Sequence, residues 1–238
     1  MGPDDDGNGE IGSLRVAVAD GASSSMLAGR WARRLVKIFG SAKGVTRTRA
    51  DFLAAYREAA YSWDGEVREY KTDREKRGVP IEWYEEPGLA KGAYATILVV
   101  EFSDGRPGYP RRWKAAAIGD SCLFQVRGES LCSCFPISDV TGFSYQPPLL
   151  PSRVAEDDVV LRHVCLKSGR WEQGDHFYIA TDALAAWFLR SWQAEERPWA
   201  ILRDLDTEAG LDFATWVDQQ RDLGEMHDDD TTLVRIDT

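Results

Sequence analysis

Aspartates stand at the ends of several apolar runs in this chain of 238 residues. Asp20 closes "SLRVAVA", Asp120 sits in the turn after "KAAAI", Asp182 follows "FYIAT", and Asp229 lies just ahead of "TTLVRI". Asp4, Asp5 and Asp6 come shortly before the first of these runs. One such aspartate is an ordinary cap or turn residue, and Asp182 taken alone reads as a helix N-cap. A set of them at strand ends in one domain is different, because converging carboxylates repel each other unless cations neutralise them. Oxygen donors without His or Cys suit a hard divalent cation such as Mg²⁺ or Mn²⁺. Gly21, next to Asp20, would let a backbone carbonyl approach a metal closely.

Other chemistries find less support. The cysteines Cys122, Cys132, Cys134 and Cys165 form no Cys-x-x-Cys pair, and His163, His176 and His227 form no His-Glu-x-x-His, which argues against a structural zinc site. These thiols read as buried, reduced residues of a cytosolic protein. No cysteine has an arginine six positions later, as a phosphocysteine mechanism needs. "GDS" (119–121) has no downstream Asp-x-x-His to activate its serine, and "GDH" (174–176) lacks companion histidine boxes. "GNGEIG" (7–12) precedes a strand instead of following one, so it fails the structural test for dinucleotide binding.

The elements that must position the aspartates are readable from periodicity. "SLRVAVA" (13–19) alternates as a strand does. From Met26 to Phe39 the spacing of Leu27, Trp31, Leu35 and Ile38 predicts an amphipathic helix, N-capped within Ser23–Ser25 and stopped by Gly40. A second helix is expected from about Arg49 to Trp63, running on toward Thr72, and the charged stretch 64–92 with Pro80 and Pro87 reads as irregular in part. Strands are expected at 93–102, 112–118, 122–126 and 131–135, the last three as an antiparallel meander. Further strands are expected at 158–166 and 175–181, helices near 183–192, 197–205 and 210–222, and a closing strand at 231–236. Trp187, Trp192, Trp199 and Trp216 fit a core better than a binding surface. This order implies an α+β sandwich in one domain spanning 1–238.

Composition limits the partners. A hydrophobic fraction of 43% with nine Trp marks a globular protein, and the formal charge of −10 argues against nucleic acid or an anionic membrane as main partner. The start "MGPDDDGNGEIG" is acidic and Gly-rich, unlike a signal peptide, and no apolar run approaches the ~18 residues of a membrane helix. The chain reads as soluble and cytoplasmic.

At the aspartate-bearing stretches the sequence resembles the metal-dependent protein phosphatases of the 2C type, in their bacterial-like branch. "VAVADGAS" resembles the family's strand ending in Asp-Gly, and "GAYATILVV" (92–100) its Gly-x-x-x-Thr core strand. "AAIGDSCLFQVRGE" (116–129) resembles its Gly-Asp-Ser-Arg box, "FYIATDALAAW" (177–187) its strand ending in Ser-Asp-Gly, and "DDDTTLVRI" (228–236) its closing Asp-Asn-x-Thr strand. The matches keep the family's order over nearly the whole chain. The resemblance implies a four-layer αββα sandwich, two antiparallel sheets flanked by helix pairs. It implies two Mn²⁺ or Mg²⁺ ions, with Asp20 bridging them, the Gly21 carbonyl on one, and Asp182 and Asp229 on the other. Asp4 and Asp5, or one position later Asp5 and Asp6, stand where an N-terminal Glu-Asp pair completes the set, and Asp120 would serve a weaker third ion. Catalysis then runs through Asp20, Asp182 and Asp229 by way of the metals and a bridging water that attacks phosphorus. The implied substrate is a phosphorylated protein, in opposition to a Ser/Thr kinase. Charged stretch 64–92 and loop 136–152 are candidate places for specificity.

The sequence also departs from the family pattern. Ala22 stands where some members carry His, Thr181-Asp182-Ala183 replaces Ser-Asp-Gly, Ala186 replaces a frequent further Asp, and Cys122 replaces an Arg. These departures motivate a second reading, a catalytically weak or inactive phosphatase-fold module that binds a partner.

Overall fold

The computed structural model describes residues 13–105, 110–144, 146–207 and 210–238. Strand β1 (Ser13–Val18) pairs with β3 (Ile97–Ser103), β3 with β4 (Arg112–Ile118), and β4 with β8 (Cys165–Arg170). A second sheet has the order β10 (Leu233–Asp237), β9 (Asp175–Ala180), β5 (Cys122–Arg127) and β6 (Ser130–Phe135). Every pairing in both sheets is antiparallel. A small ribbon joins β2 (Tyr94–Ala95) to β7 (Leu150–Pro151). The fold is α+β, as the order of elements implied.

The pleat explains how one strand serves two cores, since successive side chains leave a strand on opposite faces. In β3 and β4, Ile97, Val99, Ala116 and Ile118 pack against helices α1 (Ala28–Ser41), α2 (Arg49–Tyr61) and α3 (Trp63–Lys76). The alternate residues Leu98, Val100, Trp113 and Ala115 meet Phe177 and Ile179 of the other sheet. On that sheet's far face, Phe124, Val126 and Tyr178 pack with α6 (Asp182–Gln193), α7 (Pro198–Asp204) and α8 (Phe213–Asp222). Continuous apolar runs such as "ILVV" therefore mark strands covered on both sides. Trp187, Trp199 and Trp216 are core residues as expected, whereas Trp192 is 37% exposed. Of the thiols expected to be buried, Cys122 is, whereas Cys132 and Cys165 are exposed and Cys134 is half-buried.

Several local expectations are corrected. The turn "GDS" does not close a hairpin: β4 lies in the first sheet and β5 in the second, so only β5 and β6 form the hairpin of the expected meander. Residues 158–166 are not one strand. Helix α5 (Asp157–His163) comes first, with Asp157 and Asp158 in its first turn and Arg162 and His163 in its last, and β8 follows. The stretch 64–92 is more regular than its charge suggested, holding α3 through Lys76 and α4 (Glu86–Lys91). Arg34 of α1 donates to Glu66 at 2.7 Å, tying α3 to α1 although α3 buries only Trp63 and Val67. No serine caps α1. Its N-cap is Leu27 at φ 63°, while the Ser25 hydroxyl accepts the Tyr94 N–H at 3.1 Å and donates to the Ala22 carbonyl. Ser25 thus pins the loop after β1 to β2.

Candidate functional site

Register brings the aspartates to one end of the two sheets. In the first sheet Val18 faces Leu98 and Ile97 faces Ile118, so the residues after β1, before β3 and after β4 share an end. In the second, Ala180 faces both Cys122 and Leu233, so the residues after β9, before β5 and before β10 share an end too. The β4–β5 link, which carries Asp120, joins these two ends. Asp20, Gly21, Asp120, Asp182 and Asp229 accordingly line one cleft of ≈ 660 Å³. Asp4 and Asp5 lie outside the described residues.

Thr96 organises the first-sheet side. Its hydroxyl accepts the Asp20 N–H at 3.0 Å, its own N–H donates to the Asp20 carbonyl at 2.8 Å, and its Oγ1 lies 3.2 Å from Ser121 Oγ. Gly119 must be glycine here: φ is +108° and a Cβ would fall 2.5 Å from Thr96 Cγ2. Gly21 has a packing reason as well, since a Cβ would fall within 2.9 Å of three Ala28 atoms at the start of α1. Its expected role was carbonyl access alone.

Thr181 does the same work on the second sheet. Its hydroxyl donates to the Asp230 carbonyl at 3.1 Å and accepts the Thr232 N–H at 2.9 Å, fixing the approach to β10 beside the start of α6. Asp182 is the first residue of α6, not its cap, and accepts the Ala183 N–H at 2.7 Å. Asp229 is exposed. Its carboxylate accepts the Asp230 N–H at 2.8 Å, and its carbonyl accepts a bond from Arg221.

The electrostatics follow from this crowding. Burial, then the charges of Asp182, Asp229, Asp120 and Asp230, push Asp20 up to about 7. Burial and then Asp182 push Asp120 up to about 6. Asp182 is raised by burial and by Asp229, against the opposing pull of the Ala183 N–H and His227. Among the described residues, neither Lys nor Arg forms an ion pair with Asp20, Asp120, Asp182 or Asp229. Nor do three His, Cys, Asp or Glu side chains among them form a group arranged to hold a metal ion.

The rest of the cleft was read from the sequence only in part. Ser23, Ser24 and Thr96 line one part, and Val140, Phe143 and Leu149 line another within the loop proposed for specificity. His227 and Arg190 line the cleft's edge, and Arg190 brings a positive charge there. Thr96 carried a signal, as the Thr of "GAYAT"; Arg190 and His227 carried none, because only the fold brings them to the aspartates.

The family model for protein phosphatase 2C matches residues 6–220. The chain belongs to the protein phosphatase 2C family. The match covers the stretches that carry Asp20, Asp120 and Asp182. Among solved structures, the serine/threonine phosphatase of S. agalactiae is similar at a TM-score of 0.51 and 15% identity, over 96% of this chain and 89% of that one. The serine/threonine phosphatase PstP/Ppp of Mycobacterium tuberculosis gives 0.49 and 16%, over 81% and 80% of the two chains. The PPM Ser-Thr phosphatase MsPP of Mycobacterium smegmatis gives 0.48 and 17%, over 94% and 88%. No curated protein matches the chain. Among the described residues of this phosphatase-2C chain, no helix is long and apolar enough to cross a membrane.

Proposed function

We propose that this chain is a Mg²⁺- or Mn²⁺-dependent phosphatase acting on phosphoserine and phosphothreonine in proteins. One observation carries the reading: carboxylates from separate strand ends face each other in one cleft and push each other's affinity for protons upward, without a Lys or Arg partner among the described residues. That donor set, all oxygen, fits hard divalent cations. Asp20, Asp182 and Asp229, with the Gly21 carbonyl, are the groups that would hold two such ions; Asp4 and Asp5 would complete the set and Asp120 would serve a third. Bound there, divalent cations offset the charge on phosphoryl oxygens and make water a nucleophile at neutral pH.

The chain's own residues set the geometry. Thr96 holds the Asp20 backbone from two sides, and Thr181 fixes the segment that carries Asp229 relative to Asp182. Phe143 and Leu149 give the cleft an apolar wall that limits water around a bound ester. No side chain needs to serve as nucleophile. Chain 1–238 is read as one domain, since β1 and β10 at its two ends each complete a sheet. Its proposed setting is cytoplasmic signalling against a Ser/Thr kinase.

The test is p-nitrophenyl phosphate turnover by the full chain with Mn²⁺, with EDTA, and in Asp20→Ala. Turnover that needs Mn²⁺ and falls about a thousandfold in the variant is expected. No turnover in excess Mn²⁺ would instead leave a phosphatase-fold binding module.

A further inference from the structure

Helix α6 points a stripe of residues into the cleft. From Asp182 to Arg190, the six residues Ala183, Leu184, Ala185, Trp187, Phe188 and Leu189 are buried. The three that remain, Asp182, Ala186 and Arg190, are spaced by four and all line the cleft. Asp182 belongs to the carboxylate group. Ala186 has no side chain beyond Cβ, so nothing projects from α6 between Asp182 and Arg190. Among the described residues that line the cleft, Arg190 is the sole Lys or Arg.

Arg190 is held but not consumed. Its Nη1 donates to the Glu225 carbonyl at 2.7 Å, and the Glu225 carboxylate stands 3.9 Å away. Among the described residues its Nε and Nη2 donate to nothing. A guanidinium anchored at one nitrogen, on a residue that lines a cleft, has donors left to take a carboxylate or phosphate as a bidentate pair. It is not placed over the carboxylates themselves: no ion pair joins it to Asp182, Asp228 or Asp229. Eight residues of helix separate the Cα atoms of Asp182 and Arg190 by about 12 Å. That is three to four residues of extended chain at roughly 3.4 Å each.

We infer that Arg190 is a specificity-determining residue that binds a second anionic group of the substrate, three to four residues from the phosphorylated side chain. The inference rests on the phosphatase reading and adds a substrate class to it: phosphoproteins whose phosphoserine or phosphothreonine is flanked by an acidic side chain or a second phosphate. Such selectivity runs against the protein's overall negative charge. It therefore depends on this one guanidinium and weakens as salt screens it.

The experiment compares kcat/KM of the full Mn²⁺-loaded chain on phosphopeptides that differ only at positions three to four residues to either side of the phosphoserine, bearing Ala, Glu, phosphoserine or Lys there. Taking the ratio within each enzyme cancels any general damage from substitution. The wild type should favour the Glu or phosphoserine peptide over the Ala peptide by about tenfold, mostly through KM. The ratio should fall to about one in Arg190→Ala and stay above one in Arg190→Lys. In Arg190→Glu it should invert toward the Lys peptide, a reversal that misfolding cannot produce. Unequal responses to Glu and phosphoserine identify which anion the site prefers. Turnover of p-nitrophenyl phosphate without acidic preference, or a preference unchanged in Arg190→Glu, overturns the inference and leaves the phosphatase reading intact. Turnover of neither substrate type overturns both.

Discussion

Strand β9 begins at one carboxylate and leads to another, two residues past its end, and the two are opposites. At its start, Asp175 is fully buried and saturated with donors. Arg127 reaches it through Nε at 2.6 Å and Nη2 at 2.8 Å, Gln125 Nε2 at 2.7 Å, and the Glu172 N–H at 3.0 Å. Burial alone would raise this acid, but the bonds from Arg127, Glu172 and Gln125 together hold it below the usual carboxylate range. Just past the strand's other end, Asp182 stands among Asp20, Asp120 and Asp229, and burial and like charge raise its affinity for protons. A single strand separates an acid that builds the fold from acids that the fold alone does not satisfy. A buried carboxylate is informative only together with its partners.

The same substitution should therefore have opposite signs at the two ends. Asp175→Asn leaves the Arg127 guanidinium without its counter-charge and is expected to destabilise by about 3 kcal/mol, read from urea unfolding. An effect under a few tenths would make the Asp175 cluster a surface pair in disguise. Asp20→Asn removes one of several repelling charges and should stabilise the metal-free chain by about 1 kcal/mol, a rise of roughly 2–4 °C in Tm with EDTA present. A fall in Tm in EDTA would break the comparison, since it would mean that Asp20 already has a stabilising partner in the metal-free fold.

How much of this contrast was legible in the sequence depends on what each residue's partners are. Asp20, Asp120, Asp182 and Asp229 were readable because each ends or precedes an apolar run, and strand ends gather when sheets close. Thr96 was half legible, quoted as part of a strand, yet its bonds to Asp20 and Ser121 arise only once β1, β3 and the β4–β5 link meet. Asp175 gave no signal, because its partners Gln125 and Arg127 lie in β5, 48 to 50 residues earlier in the chain. Local pattern also misled. "DVVLRH" has strand-like β-branched residues, but the acidic residues Asp157 and Asp158 begin a helix that packs Val160 against the α1–α2 core. The "GDS" turn looked like a hairpin, because a tight turn does not reveal whether the next strand pairs in the same sheet.

The smallest expected effect separates the two ends by pH. A carboxylate whose folded pKa is depressed binds fewer protons in the folded than in the unfolded chain just below its ordinary pKa. Its contribution is fully present above the unfolded value of 3.8 and is lost as pH falls through the lower folded value. Glu101 adds a second such group: against the cost of its own burial, Thr46, Arg15 and the Gly44 N–H hold it below 4.5. The wild-type chain should thus lose stability steeply on acidification below about pH 4. Asp175→Asn, already weaker at neutral pH, should show a shallower acid limb. Urea midpoints measured from pH 5 to pH 2.5 supply the comparison. Parallel limbs in the two proteins would mean that Asp175 titrates normally, and the contrast along β9 would then rest on geometry alone.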